Sequence, residues 1–113
     1  TALMNRKEGT VGRASEVQVF GDLSINREAH VVAVKGTAVN LTPKEYELLI
    51  FLVKHAGKVL TREAILDAVW GYDYLGDSRT VDTHIKKLRA KLGDEGRYIV
   101  TVIRSGYKFD VNI

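Results

Sequence analysis

Cysteine is absent from the 113-residue chain, and proline occurs only once. Without cysteine there is no disulfide framework, no thiolate zinc site and no cysteine nucleophile, so a reducing compartment such as the cytoplasm is the simplest location. The longest unbroken apolar run, Leu48 to Val53, has six residues, whereas a membrane-spanning helix needs about 18. The first residues contain no apolar signal-peptide segment. We therefore expect neither secretion nor membrane insertion.

Most of the chain also lacks an excess of positive over negative charge. Residues 1–78 contain nine Lys/Arg against ten Asp/Glu, whereas residues 79–113 contain eight against four, and the net charge of the whole chain is +3. The length suits one domain of the usual ~100 to 200 residues. The basic excess of the last third indicates where an acidic partner would bind.

Alternating apolar and polar residues begin after a stretch without periodicity. Residues 1–15 mix charges, glycine and small residues, which is typical of a linker. From residue 16 the period is two, which predicts three or four short antiparallel strands of open pairing order, separated by turns at 21–22, 27–29 and 36–37. The strand positions are Val17 and Val19, Leu23 and Ile25, the run 30–34, and Val39 and Leu41.

Three helices follow, each with recognisable ends. Thr42, Pro43 and Glu45 form a capping-box signal, and Gly57 ends this first helix. Thr61 caps a second helix that ends at Gly71. After a polar, aromatic loop at 72–78, either Asp77 or Ser78 can cap a third helix, which runs to about Leu92 and ends at Gly93.

The third helix is basic on one side. Its apolar residues recur at spacings of 4, 3 and 4, which predicts one buried face made of Val81, Ile85, Leu88 and Leu92. The opposite side contains Arg79, Thr83, Lys86, Lys87 and Ala90. With five basic groups against one acid, Asp82, the helix is a candidate reader of the DNA major groove. A solvated basic face is the alternative.

A β-hairpin completes the pattern, because two strand-like runs at 99–103 and 107–111 flank Arg104-Ser105-Gly106. We expect Gly106 to supply the positive φ of the turn. The order helix, helix, basic helix, hairpin is that of a winged helix-turn-helix, in which the hairpin reaches the DNA backbone or the minor groove. A hairpin that only covers the core is the alternative.

Four segments together resemble the DNA-binding domain of OmpR/PhoB-type response regulators: 41–49 (LTPKEYELL), 69–71 (VWG), 79–89 (RTVDTHIKKLR) and 106–109 (GYKF). The resemblance covers roughly residues 17–111. It implies an α+β winged helix-turn-helix with an N-terminal antiparallel four-stranded sheet, three helices and a C-terminal β-hairpin wing at about 98–111. Residues 1–15 would then be a linker remnant, and residues 16–113 the DNA-binding domain.

The resemblance also implies a two-component system that controls transcription. A sensor kinase would act on a receiver domain that precedes the linker and is absent from this chain. The domain would bind direct repeats in duplex DNA as a head-to-tail dimer. Loop 72–78 would touch RNA polymerase through exposed aromatic residues; the alternative is that Tyr72 and Tyr74 pack on the helix below. No cofactor or metal is implied.

The resemblance further assigns DNA contacts to individual positions. They fall on the third helix at about 79–92, on the second helix and on the wing: Arg79, Thr80, Thr83, His84, Lys86, Lys87 and Arg89; Arg62 and Trp70; Thr101, Arg104 and Tyr107. Trp70 has a core role as its alternative. For Asp82, a place in the first turn of the third helix predicts a favourable interaction with the helix dipole and an orienting role for a nearby Lys or Arg.

Two positions depart from the family pattern. Lys86 and Lys87 stand where many relatives carry Arg, which favours point-charge contacts over bidentate reading of guanine. The wing arginine is one position later than usual, at Arg104, with Ile103 in its place. Because one step along a strand reverses the side-chain face, Arg104 reaches the minor groove only if it lies in the turn.

Other classes of function fit the sequence less well. The three histidines have no ligand-like spacing, and no phosphate loop, zinc motif or nucleophile elbow occurs, so we expect no catalysis. A winged helix that binds only protein is the better rival. Salt-dependent affinity for DNA separates the two, because phosphate contacts release counterions.

Overall fold

The computed structural model describes residues 17–71 and 74–111. It consists of two compact units, one ending at Val39 and the other beginning at Asn40. The predicted linker, residues 1–15, lies outside the described residues. No helix in the described ranges is long and apolar enough to cross a membrane.

The first unit is an antiparallel sheet of four strands, as the resemblance implies, and its pairing order, which the sequence left open, follows the order along the chain. One turn differs from expectation: Val34 pairs with Thr37, so the two-residue turn is Lys35-Gly36, with φ of 53° and 81°. Positive φ at both positions matches the right-handed twist of the strands. The strands are β1 (Val17–Phe20), β2 (Leu23–Asn26), β3 (Val31–Val34) and β4 (Thr37–Val39).

The helices of the second unit begin at the predicted caps. Thr42 Oγ1 accepts the Glu45 N–H at 3.2 Å, and Glu45 Oε1 accepts the Thr42 N–H at 2.9 Å, which completes the capping box. Thr61 Oγ1 accepts the Ala64 N–H at 3.0 Å. The helices are α1 (Pro43–Lys54), α2 (Arg62–Trp70) and α3 (Arg79–Leu92), and a 3-10 helix (Gly93–Tyr98) follows.

The buried face of α1 includes a charge. Tyr46 and Ile50 are half-buried, whereas Leu48, Leu49 and Leu52 are fully buried. Glu45 is 2% exposed. Its carboxylate accepts a hydrogen bond from Lys91 Nζ of α3 at 2.6 Å, so the capping residue of one helix also binds another helix.

The hairpin, called the wing below, pairs β5 (Ile99–Val102) with β6 (Gly106–Phe109). Leu60, between α1 and α2, adds an isolated antiparallel bridge to β6 through two backbone hydrogen bonds with Tyr107, of 2.8 and 2.9 Å. This close pairing explains Gly106, because a Cβ there would collide with the Leu60 carbonyl oxygen. Val102 pairs with Gly106, so residues 103–105 form the turn.

Candidate nucleic-acid interface

The faces of α3 are those that the sequence predicts. Val81, Ile85, Leu88 and Leu92 are each no more than 1% exposed. The opposite side, called the outer face below, is exposed and consists of Arg79, Thr83, Lys86, Lys87 and Ala90. Within the described part of the chain, neither Lys86 nor Lys87 takes part in an ion pair. Both ammonium groups are therefore available to an anionic partner.

Ser78 is the N-cap position of α3, but the side-chain bond at this helix start comes from Asp77. Its carboxylate accepts the Arg79 N–H at 2.9 Å and the Arg79 Nε–H at 3.0 Å, while Ser78 makes no side-chain cap bond. The hydrogen bonds from the Arg79 backbone and side chain hold the pKa of Asp77 below its usual value. Because the ion pair is largely exposed, it is weak, and Arg79 can exchange Asp77 for another anion.

One flank of α3 packs on α2. Trp70 is half-buried, with its ring 4.8 Å from the His84 ring in an edge-on arrangement, so it serves as packing between the helices. His84 Nδ1 lies 2.8 Å from the Thr80 carbonyl oxygen and therefore carries a proton. Nε2 is then the ring nitrogen through which His84 would contact DNA.

On the other flank, Asp82 connects α3 to both α2 and the wing. Its Oδ1 accepts a hydrogen bond from Arg62 Nε at 3.0 Å and another from the Tyr107 hydroxyl at 2.6 Å. The orienting role predicted for Asp82 is thus seen on Arg62. Burial and the Asp82 carboxylate raise the pKa of Tyr107, so its phenol stays protonated and donates.

Arg89 makes a second connection between α3 and the wing. Its guanidinium donates to the Ile99 carbonyl oxygen at 3.0 and 2.7 Å and to Thr101 Oγ1 at 2.6 Å. The same group lies 5.7 Å from the centre of the Tyr107 ring. Arg89, Thr101 and Tyr107 therefore bind one another, which residue type and position in the sequence did not reveal. Their predicted DNA contacts remain predictions.

The tip of the wing is exposed and includes a residue in an uncommon conformation. Arg104 lies in the turn, with φ of 66°, and Ser105 N donates to the Val102 carbonyl oxygen at 2.9 Å. The positive φ expected at Gly106 alone is thus shared with Arg104. Ile103 is 79% exposed. A cleft of about 230 Å³ separates the tip from the start of α2, and its lining includes Arg62 and Arg104.

The loop before α3 presents an apolar residue to solvent. Leu75 is fully exposed, and Tyr74 is 39% exposed. The Tyr74 ring centre lies 6.4 Å from that of Trp70. Tyr72, predicted as part of this surface, lies outside the described residues.

Carboxylates and imidazoles are dispersed. Across residues 17–71 and 74–111, no group of three or more His, Asp or Glu side chains is arranged to hold a metal ion. The outer face of α3, Arg62 and the wing tip carry exposed basic side chains, which suit an anionic ligand.

Curated relatives match nearly the whole chain. Residues 36–109 match the family described as "Transcriptional regulatory protein, C terminal". The transcriptional regulatory protein ResD of Bacillus subtilis is 54% identical over 99 residues, which cover 84% of this chain and 41% of ResD. SrrA of Staphylococcus aureus is 47% identical over 119 residues, covering 97% of this chain and 49% of SrrA. The chain thus spans less than half the length of these relatives.

Solved structures of a DNA-binding domain and of a response regulator also match this chain. The DNA-binding domain of Klebsiella pneumoniae RstA, in complex with the RstA box, matches with a TM-score of 0.77 and 34% identity, covering 86% of this chain and 99% of that one. The response regulator DrrB of Thermotoga maritima, an OmpR/PhoB homolog, matches with a TM-score of 0.78 and 36% identity, covering 89% and 51% of the two chains.

Proposed function

We propose that this chain, which belongs to the OmpR/PhoB-type family of C-terminal transcriptional regulatory domains, binds specific sequences in duplex DNA. It acts as the effector domain of a two-component response regulator that controls transcription in the bacterial cytoplasm. Its role is recognition and not catalysis.

The outer face of α3 supports this proposal. Lys86 and Lys87 point to solvent beside Arg79, whose only carboxylate partner in the described residues is the exposed Asp77. A helix fits the major groove, and lysines there can bond to guanine acceptors or attract phosphates. The RstA domain, which shares the fold, is seen on its own DNA box.

The second unit also contains residues that can contact the DNA backbone. We place α3 in the major groove and the wing tip, with Arg104, against the adjoining minor groove or backbone. Arg62, at the start of α2, lines the same cleft as Arg104 and supplies a phosphate contact. Thr80, Thr83 and His84 add further contacts along α3, and Trp70 packs against α3 on the side of α2.

Other partners follow from the same proposal. The domain binds direct repeats as a head-to-tail dimer, and residues 1–15 link it to a receiver domain on which a sensor kinase acts. Fully exposed Leu75 suits an apolar contact with RNA polymerase. Leu75→Ala should then lower recruitment of polymerase to bound DNA without lowering DNA affinity, and unchanged recruitment would refute that contact.

Selection of sites from a random duplex library, followed by titration of the selected site, tests the main proposal. Lys87→Ala should weaken binding to that site by about 1 to 3 kcal/mol and relax discrimination at one base pair. Lys54→Ala removes an equal charge from the end of α1 and should leave binding unchanged. Equal loss on selected and random duplexes would reassign Lys87 to a phosphate, and no enrichment of any sequence would refute the proposal.

A further inference from the structure

The polar groups that connect α3 to the wing lie on one flank of that helix. Asp82 and Arg89 are seven residues apart, which is close to two helical turns, so their side chains leave α3 on the same side. Both reach Tyr107 on β6, Asp82 through the phenolic hydroxyl and Arg89 across the ring. We call Asp82, Arg89 and Tyr107 the α3–wing cluster.

The cluster restrains the wing at two strands. Arg89 holds β5 through three hydrogen bonds to Ile99 and Thr101, and Asp82 holds β6 through the Tyr107 hydroxyl. Tyr107 is 8% exposed. Hydrogen bonds that involve a charged group are shorter and stronger than neutral ones, and most of these are 2.6 to 2.7 Å long. The wing therefore cannot swing about its base without breaking several of them.

A wing that is fixed relative to α3 limits which DNA sites the protein can bind. We infer that the α3–wing cluster sets the distance and angle between the two DNA-binding elements, and so determines which spacing between a major-groove sequence and an adjoining A·T tract the protein accepts. Asp82, Arg89 and Tyr107 act as positioning residues. The inference rests on the proposed function, because it concerns how the same surface selects its site.

The inference can be tested by changing the number of base pairs between the major-groove sequence and the A·T tract. Moving an A·T tract by one base pair displaces it by about 3.4 Å and rotates it by about 35° around the helix axis. If α3 and the wing are held rigidly, they cannot follow both the displacement and the rotation of the tract. A wing that moves freely can follow them, at a smaller loss of affinity.

Tyr107→Phe is the decisive variant. It removes the hydroxyl that binds Asp82 but keeps the ring beneath Arg89. Tyr98→Phe is a matched control, since Tyr98 is 5% exposed and its hydroxyl accepts a hydrogen bond at 3.3 Å from its neighbour Arg97, which belongs to the 3-10 helix and not to the cluster. Melting temperatures of both variants should be recorded, so that any loss of folded protein is accounted for.

Binding should be titrated on the selected duplex and on the same duplex with its A·T tract moved by one base pair. We expect the wild-type protein and Tyr98→Phe to lose about tenfold in affinity on the moved tract, the usual size of one faulty position in a specific site. Tyr107→Phe should lose less, about fivefold, because it releases β6 from Asp82 while Arg89 still holds β5. Asp82→Asn, which keeps an acceptor oxygen for Tyr107, should stay closer to the wild type than Asp82→Ala.

Two results would overturn the inference. A wild-type protein that binds both duplexes equally does not use a fixed wing. A Tyr107→Phe variant that is weaker on both duplexes by the same factor has lost a direct DNA contact and not a positioning one. Failure of the proposed function would give a different result, because the wild-type protein would then select no duplex sequence at all.

Discussion

Glu45 combines two structural roles, which makes its replacement by alanine informative. Its backbone N–H and its carboxylate complete the capping box with Thr42, and the same carboxylate accepts a 2.6 Å hydrogen bond from Lys91. The residue is 2% exposed. Glu45→Ala therefore removes the carboxylate half of the capping box and the connection of α1 to α3 in one change, while Thr42 Oγ1 keeps its bond to the N–H of residue 45.

The expected loss follows from these contacts. The hydrogen bond from the Thr42 N–H contributes about 1 kcal/mol, and the hydrogen bond between the charged Lys91 and Glu45 groups contributes about 1.5 to 3 kcal/mol. The Lys91 side chain is 36% exposed and regains water when its partner is removed, so the lower end applies. We expect Glu45→Ala to lower the free energy of unfolding by about 2.5 kcal/mol, or about 10 °C in melting temperature.

Glu47→Ala is the matched control for urea and thermal unfolding. Glu47 is on the same helix, and its carboxylate lies 3.6 Å from Lys44 Nζ in a pair that is about half exposed. Exposed pairs contribute little, about 0 to 1 kcal/mol. If Glu45→Ala and Glu47→Ala melted within about 2 °C of each other, the contribution assigned to the buried carboxylate would be wrong.

The same carboxylate predicts a pH dependence. Burial opposes ionisation of Glu45, but hydrogen bonds from Lys91 and Thr42 and the Lys91 charge outweigh it and hold the pKa below its usual value. A carboxylate with a lowered pKa stabilises the fold above its unfolded pKa of about 4.3, and this stability is lost as pH falls through the folded pKa. The stability difference between wild type and Glu45→Gln should be constant near neutral pH and vanish in strong acid.

Three further substitutions test other parts of the molecule. Ile85→Ala should cost about 2 to 5 kcal/mol of stability and abolish DNA binding through unfolding; a normally stable variant without DNA binding would mean that the faces of α3 are wrongly assigned. Gly106→Ala should melt well below Gly36→Ala, because only the first places a Cβ against Leu60; equal melting would refute that collision. Arg104→Ala should lower affinity most on duplexes with A·T flanks, leaving stability within about 0.5 kcal/mol; an identical affinity ratio on G·C flanks would exclude minor-groove reading by Arg104.

Local signals in the sequence predicted much of the fold. Thr42 and Thr61 mark the helix starts correctly, because a cap depends on residues only three positions away. The buried stripe of α3 follows from periodicity alone. The burial of Glu45 does not, since helical periodicity ranks positions by apolarity, and its partner Lys91 is 46 residues further along the chain.

The candidate site likewise has features that the local sequence predicts and features that it does not. The outward direction of Lys86 and Lys87 is predictable from the helix period, and the structure confirms it. The bonds of Arg89 and Tyr107 within the protein depend on where the wing packs, which no local pattern specifies. Gly106 was expected for its turn conformation, yet its closest constraint is the Leu60 backbone, 46 positions earlier in the sequence.

The salt dependence of DNA binding tests the central claim, that the outer face of α3 binds duplex DNA, most directly. The slope of log K against log salt changes by about 0.9 for each phosphate neutralised. We predict a negative slope of several units for the wild-type chain, a slope smaller by about 1 to 2 for Lys86→Ala/Lys87→Ala, and an unchanged slope for Lys54→Ala. A flat wild-type slope, or a double variant indistinguishable from Lys54→Ala, would contradict the claim.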